Sequence, residues 1–248
     1  MSPYAAMDDD PINKTDPDGQ EPLRIFNIKQ NDGTVVQKEI KDGVNETVNI
    51  DEFHFNWLNK TFNDDKTTTK DSYNEYYGRL GLGTTGYDVS ETARALVGST
   101  DYAFDKKKGD FPENTDKCNK FVYDCLRTNG AIDAYPIGSP PTAAKYANPK
   151  IKIKGGLAVV DLTKDKPKLG DVIAGAHNYA GSTASGHVEI VTHIIPSGKF
   201  WTTGATDTKV ETRLKGYNML NGEEFSDRNG KFKYNPVTVR RPTNTNTP

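Results

Sequence analysis

Apolar residues recur at helical spacing in the stretch "TDKCNKFVYDCL". The members of this pattern are Cys118, Phe121, Val122, Cys125 and Leu126. Their i, i+3, i+4, i+7, i+8 spacing predicts an amphipathic helix with one buried face. Thr115 or Asp116 supplies an N-cap, and Asn129 with Gly130 supplies the stop. The pattern therefore places Cys118 in the first turn of a helix.

A second helical pattern begins at Asp88. Asp88 and Glu91 have the spacing of a capping box, and Gly98 follows as a stop. The apolar positions between them are Val89, Ala93, Leu96 and Val97. Because these positions share one helical face, the pattern predicts a helix upstream of the one that carries Cys118.

Short apolar runs bounded by turn residues predict strands further along the chain. The runs are "LAVVDL", "DVIAG", "HVEIVTHI", "FWTTGA" and "PVTVRR", beginning at residues 157, 171, 187, 200 and 236. They predict an antiparallel sheet on which the helices pack, so we expect an α+β domain over residues 88–248. Residues 23–87 alternate more weakly, with a hairpin signal at Asn31-Asp32-Gly33, and are expected to form an accessory β-rich region.

Composition excludes several classes of protein. The formal net charge is −2 with 27% charged residues, so the chain lacks the basic surplus that nucleic-acid binding uses. Hydrophobic residues make up 34% and form no run long enough for membrane insertion, and the N-terminus shows no signal-peptide pattern. The two cysteines and four histidines have neither the spacing of a metal site nor the number needed for a disulfide framework.

Cys118 is the candidate nucleophile. At a helix start, free backbone N–H groups and the positive end of the helix dipole stabilise a thiolate. The backbone N–H of Cys118 is also the natural donor to the oxyanion of an acyl-transfer reaction. Cys125 lies two turns further along, where this field is absent, and we expect it to be an inert core residue.

His187 is the candidate base. In "SGHVEIVTH", Val188 and Ile190 alternate as on a strand, and His187 lies on the opposite face. Gly186 permits a close approach of the chain just before the histidine. This layout brings a cysteine at a helix start next to a histidine on an adjacent strand, which can relay a proton to a leaving amine.

Three further polar residues are candidates for the same site. A polar group must orient the imidazole, and of two possible hairpin registers, one places Asp207 diagonal to His187. Asp207 is therefore the predicted third member, with a plain surface aspartate as the alternative. His177 follows a strand end and Asn119 follows the nucleophile, and both are predicted to contact the substrate or to support a residue that does.

Four motifs in order carry a family resemblance: "KCNKFVYDCL", "SPPTAAKYANP", "LGDVIAGAHNY" and "SGHVEIVTH". Together, over about residues 88–210, they resemble papain-like cysteine amidases of the NlpC-type (CHAP-like) cell-wall peptidase superfamily. The resemblance implies Cys118 as nucleophile and His187 as base, hydrolysing an amide bond in the peptide part of peptidoglycan without a cofactor. The departures are Cys125, where an aliphatic residue is expected, and the "GSTAS" loop before Gly186.

The N-terminal segments "SPY", "DDDPIN" and "DPDG" resemble the end of the core domain of Rhs-type polymorphic toxins. The departure from the usual pattern is "DDDP" at an asparagine-rich step. The resemblance implies that residues 1–22 are a remnant of the Rhs core or linker and that a toxin domain follows. It further implies a type VI secretion effector, delivered by the Rhs core and secretion machinery to the periplasm or cell wall, with a cognate immunity protein.

Three alternatives stay open. The same Cys-His site could act on an intracellular protein, as a protease, a deamidase or a transglutaminase-like enzyme. The domain could also be a non-enzymatic binding or adhesion module in which Cys118 is buried. A metal-dependent amidase would use His177, His187 and Asp207, whose spacing matches no standard set of metal ligands.

Overall fold

The structure is a computed structural model that describes residues 22–64, 71–132, 140–176, 185–215, 224–227, 230–233 and 237–243. The chain divides into two compact units, Met1–Tyr73 and Asn74–Pro248. The boundary expected between residues 87 and 88 falls inside a helix that spans Thr85–Ala95. Residues 1–21 of the segment interpreted as an Rhs remnant lie outside the described residues.

The first unit contains a three-stranded sheet and a helix. Its elements are β1 (Arg24–Lys29), β2 (Val35–Ile40), β3 (Glu46–Asp51) and α1 (Glu52–Asp64). The sheet order is β2-β1-β3, with β2 antiparallel and β3 parallel to β1. Gly33 adopts a φ of 87° in the turn between β1 and β2, as a tight hairpin turn requires. The hairpin predicted at Asn31-Asp32-Gly33 is confirmed.

The region expected to be β-rich also contains helices. In α1, Phe55 and Leu58 are buried at helical spacing. Asp51 caps the helix by accepting a hydrogen bond from the His54 N–H at 3.0 Å, and its second oxygen lies 2.6 Å from Nδ1 of the imidazole. This cap and the apolar pair outweigh the β-favouring aromatic composition of "FHFNWL". The helix α2 (Asp71–Leu80) follows, so the accessory region is mixed rather than β-rich.

The second unit combines helices with one large sheet. After α2 come α3 (Thr85–Ala95), α4 (Cys118–Thr128) and α5 (Ala143–Ala147). The strands are β4 (Leu157–Val159), β5 (Val172–Gly175), β6 (His187–Ile194), β7 (Phe200–Ala205), β8 (Val210–Lys215), β9 (Glu224–Asp227), β10 (Gly230–Lys233) and β11 (Thr238–Pro242). None of the described helices is both long and apolar enough to cross a bilayer.

Six of these strands form the main sheet in the order β4-β11-β5-β6-β7-β8. Every neighbouring pair in it is antiparallel, and β9 and β10 pair separately. The five strands predicted from the sequence all belong to this sheet, and β8 extends it beyond β7. The α+β class with an antiparallel sheet is therefore confirmed.

The helix α3 begins earlier than its capping-box pattern predicts. Thr84 occupies the N-cap position, and its hydroxyl accepts a hydrogen bond from the Tyr87 N–H at 3.4 Å. Asp88 therefore lies in the first turn of the helix rather than at the cap. Val89 and Ala93 are fully buried, which confirms this half of the predicted apolar face. Leu96 and Val97 follow the end of the helix, and Val97 is exposed, so the prediction was wrong for Val97.

The helix α4 packs its apolar face into the core of the second unit. The residues of this face that are 0% exposed are Phe121, Val122, Cys125 and Leu126. They belong to the same core as Val188 and Ile190 of β6. Burying each large apolar side chain contributes about 1.5–3 kcal/mol, so this face fixes the rotation of the helix. The direction of Cys118 at its first turn is fixed with it.

Candidate active site

Cys118 and the start of β6 meet in the structure. The Cys118 residue is 7% exposed, and its Sγ lies 4.0 Å from the carbonyl oxygen of Gly186. Gly186 immediately precedes His187, the first residue of β6. The candidate nucleophile and the candidate base, predicted from separate motifs, therefore belong to one site.

The first turn of α4 has no side-chain cap among the described residues. Lys117 holds the N-cap position with φ −122° and ψ 17° and makes no capping hydrogen bond. The first N–H groups of a helix have no partner within the helix. The N–H of Cys118 therefore has no partner within the helix, and its role as the oxyanion donor stays a prediction.

Gly186 places His187 by allowing two strands to approach closely. Gly186 has a φ of 143°, and a Cβ built on it would lie 2.2 Å from the carbonyl oxygen of Gly175. Gly175 is the residue of β5 that pairs with His187 of β6. A side chain at position 186 would therefore push the start of β6 away from β5. The sequence-based interpretation of this glycine is confirmed.

Glu189 lies beside the imidazole of His187. Its Oε1 is 3.1 Å from Nε2 of His187, and the Glu189 side chain is only 3% exposed. The Nε2 atom has no partner at full hydrogen-bond geometry, so this contact is an ion pair rather than an aligned hydrogen bond. Catalytic hydrogen bonds are often loosely aligned in the free enzyme and tighten when substrate binds.

Two residues of β7 hold the Glu189 carboxylate. The Thr202 hydroxyl donates a hydrogen bond to Oε2 at 2.8 Å. Gly204 leaves the space for the glutamate side chain, since a Cβ at this position would lie 2.7 Å from Cγ of Glu189. Thr202 therefore contacts one carboxylate oxygen and His187 the other, while Gly204 leaves room for the side-chain carbons of Glu189.

The pKa of His187 is raised in this site. Burial is the largest influence and lowers the pKa, but the charge of Glu189 and the contacts with Cys118 and Glu189 outweigh it and raise the pKa from 6.5 to about 10. The imidazole is therefore an imidazolium at neutral pH. An imidazolium beside a cysteine stabilises a thiolate and can protonate a leaving amine.

A pocket of about 690 Å³ opens over the cysteine and the histidine. Its lining residues are Phe104, Asp116, Lys117, Cys118, Gly186, His187, Ala205, Thr206, Asp207, Thr208, Glu211 and Arg213. The walls combine an apolar ring, hydroxyl groups and charges of both signs. A polar peptide fits this lining better than a purely apolar ligand does.

Asp207 lies in the pocket wall, but it is not the carboxylate beside the histidine. It is exposed in the turn between β7 and β8, and among the described residues it makes no ion pair or hydrogen bond to His187, whose neighbour is Glu189. A bulge between Val191 and His193 shifts the pairing of β6 with β7. Next to the turn Ile194 pairs with Phe200, so the strands already follow neither of the two hairpin registers considered from the sequence.

Glu189 was missed, although the sequence contains a signal for it. Side chains two residues apart on a strand point to the same face. The predicted strand that starts at His187 therefore already places Glu189 on the side of the imidazole. The prediction of Asp207 considered only the neighbouring strand.

The remaining site predictions have separate outcomes. Asn119 is buried, and its amide donates a hydrogen bond to the Pro141 carbonyl at 3.2 Å. That contact holds the segment before α5 and leaves a substrate role for Asn119 as a prediction. His177 lies outside the described residues. Cys125 is fully buried, and burial raises the pKa of its thiol to about 12, which agrees with an inert core residue.

Comparison with known proteins finds no matching family model, no similar curated protein and no similar solved structure. The geometry of the site and the four sequence motifs are therefore the basis for a proposed function.

Proposed function

We propose that this chain is a papain-like cysteine hydrolase that cleaves an amide bond in the peptide part of peptidoglycan. The observation that supports this most strongly is the arrangement of Cys118 at a helix start, His187 at a strand start and the buried Glu189 beside it. Nucleophile, base and orienting group are the three parts that thiol-based acyl transfer requires. Cys118 and His187 line one pocket of about 690 Å³.

The reaction follows from the positions of the two histidine nitrogens. Because Nε2 faces Glu189, Nδ1 is the nitrogen that exchanges a proton with Sγ of Cys118. The thiolate attacks the amide carbonyl, and the N–H of Cys118 stabilises the oxyanion. The imidazolium of His187 then protonates the leaving nitrogen, the C–N bond breaks and a thioester forms.

Water completes the cycle. The neutral His187 accepts a proton from a water molecule, whose oxygen attacks the thioester carbonyl. The C–S bond breaks, the product leaves as a carboxylic acid that releases its proton to solvent water, and the thiolate and imidazolium are restored. His187 therefore gives one proton to the leaving nitrogen and recovers one from water, so no cofactor enters the proposed cycle.

The substrate class and the setting come from the motif resemblance. The NlpC-type motifs favour the peptide of peptidoglycan, and the Rhs-type N-terminal segment favours a toxin delivered to a competing cell. In this proposal the domain acts in the periplasm or cell wall of that cell. A cognate immunity protein would protect the producer by closing the pocket over Cys118.

Directed expression tests the setting. Wild type and Cys118→Ala are produced in a test bacterium, each with and without an export signal to the periplasm, and lysis and cell shape are followed. We expect lysis only with exported wild type. Toxicity confined to the cytoplasm would instead favour an intracellular protein substrate. Equal toxicity of Cys118→Ala would favour a binding module.

A further inference from the structure

The side chain of Lys117 is buried next to the candidate nucleophile, and its ammonium makes three hydrogen bonds. The residue is 2% exposed. Its ammonium donates hydrogen bonds to the carbonyls of Thr115 at 2.8 Å, Ala103 at 3.1 Å and Phe104 at 3.3 Å. A lysine ammonium has three donors, so all of its hydrogen-bonding capacity goes to main-chain oxygens of one loop.

This loop, residues 103–115, reaches the pocket at Phe104, which is one of the lining residues. Phe104 is 37% exposed. Its N–H donates to the Asp207 carbonyl at 2.8 Å, and its own carbonyl accepts from the Asn114 N–H at 2.7 Å. The main chain of Phe104 therefore joins the loop to the β7–β8 turn on one side and to Lys117 on the other.

Burying the charged ammonium of Lys117 destabilises the folded state unless hydrogen bonds to the loop replace those that the ammonium makes to water. Burial is the main influence on the pKa of Lys117 and lowers it, while the carboxylates of Asp105, Asp116 and Glu113 raise it. A buried ammonium is tolerated when hydrogen bonds replace its water, as the three carbonyls do here. The Lys117 side chain does not cap α4. Its ammonium instead holds the loop through the three carbonyls.

We propose that Lys117 is a positioning residue that holds the loop of residues 103–115 against the start of α4. Phe104 then faces the substrate at a fixed distance from Cys118. The structural half of this inference concerns the loop alone. The half that concerns the substrate rests on the proposed function.

Hydrogen exchange tests the structural half without any substrate. Lys117→Met keeps the length of the side chain and removes the ammonium, whereas Lys117→Arg keeps the charge. Lys145→Met is the control, because Lys145 is an exposed lysine of α5, outside this loop. We expect amide exchange within residues 103–115 to be about tenfold faster in Lys117→Met, with Lys117→Arg between it and wild type and Lys145→Met like wild type.

Kinetics on peptidoglycan fragments test the other half. We expect Lys117→Met to lower kcat by about 100-fold, since displacing a reacting group by about 1 Å costs that much. Phe104→Ala removes the ring but keeps the main-chain carbonyl that Lys117 binds. We therefore expect Phe104→Ala to lower kcat as well, because the substrate loses the contact that places it, while loop exchange stays unchanged.

The outcomes separate the two claims. Exchange in residues 103–115 that is equal in Lys117→Met and wild type would overturn the positioning role, whatever the activity. If Lys117→Met does not fold, Lys117→Arg decides: exchange in residues 103–115 faster than in wild type would support the positioning role, and exchange equal to wild type would overturn it. Faster exchange in a chain whose wild type cleaves no peptidoglycan would support the loop anchor and contradict the proposed function.

Discussion

Nε2 of His187 lies 3.1 Å from Oε1 of Glu189, and the two residues share one face of the strand β6. This contact determines which histidine nitrogen is left for the cysteine. It also holds a positive charge on the imidazole at neutral pH. Both the proton transfers and the pH range of the proposed reaction depend on it.

Replacing Glu189 by Gln removes the carboxylate charge and keeps the size of the side chain. We expect kcat/KM on muropeptides to fall by about 100-fold, because the imidazole loses its orienting charge. Glu75→Gln is the control, since Glu75 is 53% exposed and pairs with Lys166. Steady-state kinetics on both variants decide the matter. Activity of Glu189→Gln within twofold of wild type would remove Glu189 from the site.

The raised pKa of His187 predicts an unusual pH range. A folded pKa of about 10 against an ordinary 6.5 means that the ion pair stabilises the fold fully below 6.5. This contribution is lost as the pH rises through about 10. The imidazolium needed to protonate the amine persists over the same range, so the alkaline limb of kcat/KM lies near pH 10.

Glu189→Gln should move that alkaline limb to lower pH, because the charge of Glu189 is the largest of the influences that raise the pKa. The measurement is the pH dependence of kcat/KM for wild type and variant. A wild-type limb near 6.5, or a limb that the variant leaves in place, would show that the carboxylate does not set the charge of His187.

Gly204 is predicted to be intolerant of a methyl group. In Gly204→Ala the new Cβ would lie 2.7 Å from Cγ of Glu189, so the glutamate must shift away from the imidazole. We expect kcat/KM to fall by about tenfold, in line with a small displacement of an orienting group. The matched control is Gly78→Ala in α2, where no atom lies within 4 Å of the new Cβ. That change should leave activity unchanged, and equal effects of the two substitutions would contradict the packing argument.

Arg241 stabilises the sheet through a buried carboxylate. Its guanidinium donates two hydrogen bonds to Asp171 at 2.9 Å and also contacts Asp165. Burial is the main influence on the pKa of Asp171 and raises it to about 6, against the opposing effect of the guanidinium. Arg241→Gln leaves this 0% exposed carboxylate without its cation.

We expect Arg241→Gln to lower the free energy of unfolding by about 3 kcal/mol, as for other buried pairs that lose one member. Urea denaturation measures this change. Arg127→Gln, at an exposed position of α4, is the control and should change the stability by less than about 0.5 kcal/mol. An equally small effect of both variants would mean that other groups provide the hydrogen bonds and charge that stabilise the Asp171 carboxylate.

The apolar pattern of the chain was sufficient to predict α4 and the main sheet. Phe121, Val122 and Leu126 lie at helical spacing, and their burial orients Cys118 as the pattern requires. His187 was recognisable because a glycine precedes it and an alternating strand follows it. Such local signals survive folding because one face of each element must be buried.

The sequence did not reveal features that depend on long-range geometry. The turn after β6 pairs Ile194 with Phe200, and a bulge between Val191 and His193 shifts the β6–β7 register again. No local pattern indicates either feature, so Asp207 was chosen as the third member. Lys117 appears in the sequence as an ordinary charged residue. Only the folded structure brings the carbonyls of Ala103 and Phe104 to its ammonium, and the proposed positioning role depends on these contacts.

The most direct test of the proposed hydrolase is digestion of purified peptidoglycan with wild type, Cys118→Ala and His187→Ala, followed by chromatography and mass spectrometry of the soluble fragments. Circular dichroism first establishes that both variants are folded. We predict new muropeptides from the wild type alone, with fragment masses that identify the amide bond. Identical profiles for all three proteins would contradict peptidoglycan cleavage, and equal cleavage by Cys118→Ala would contradict the cysteine mechanism.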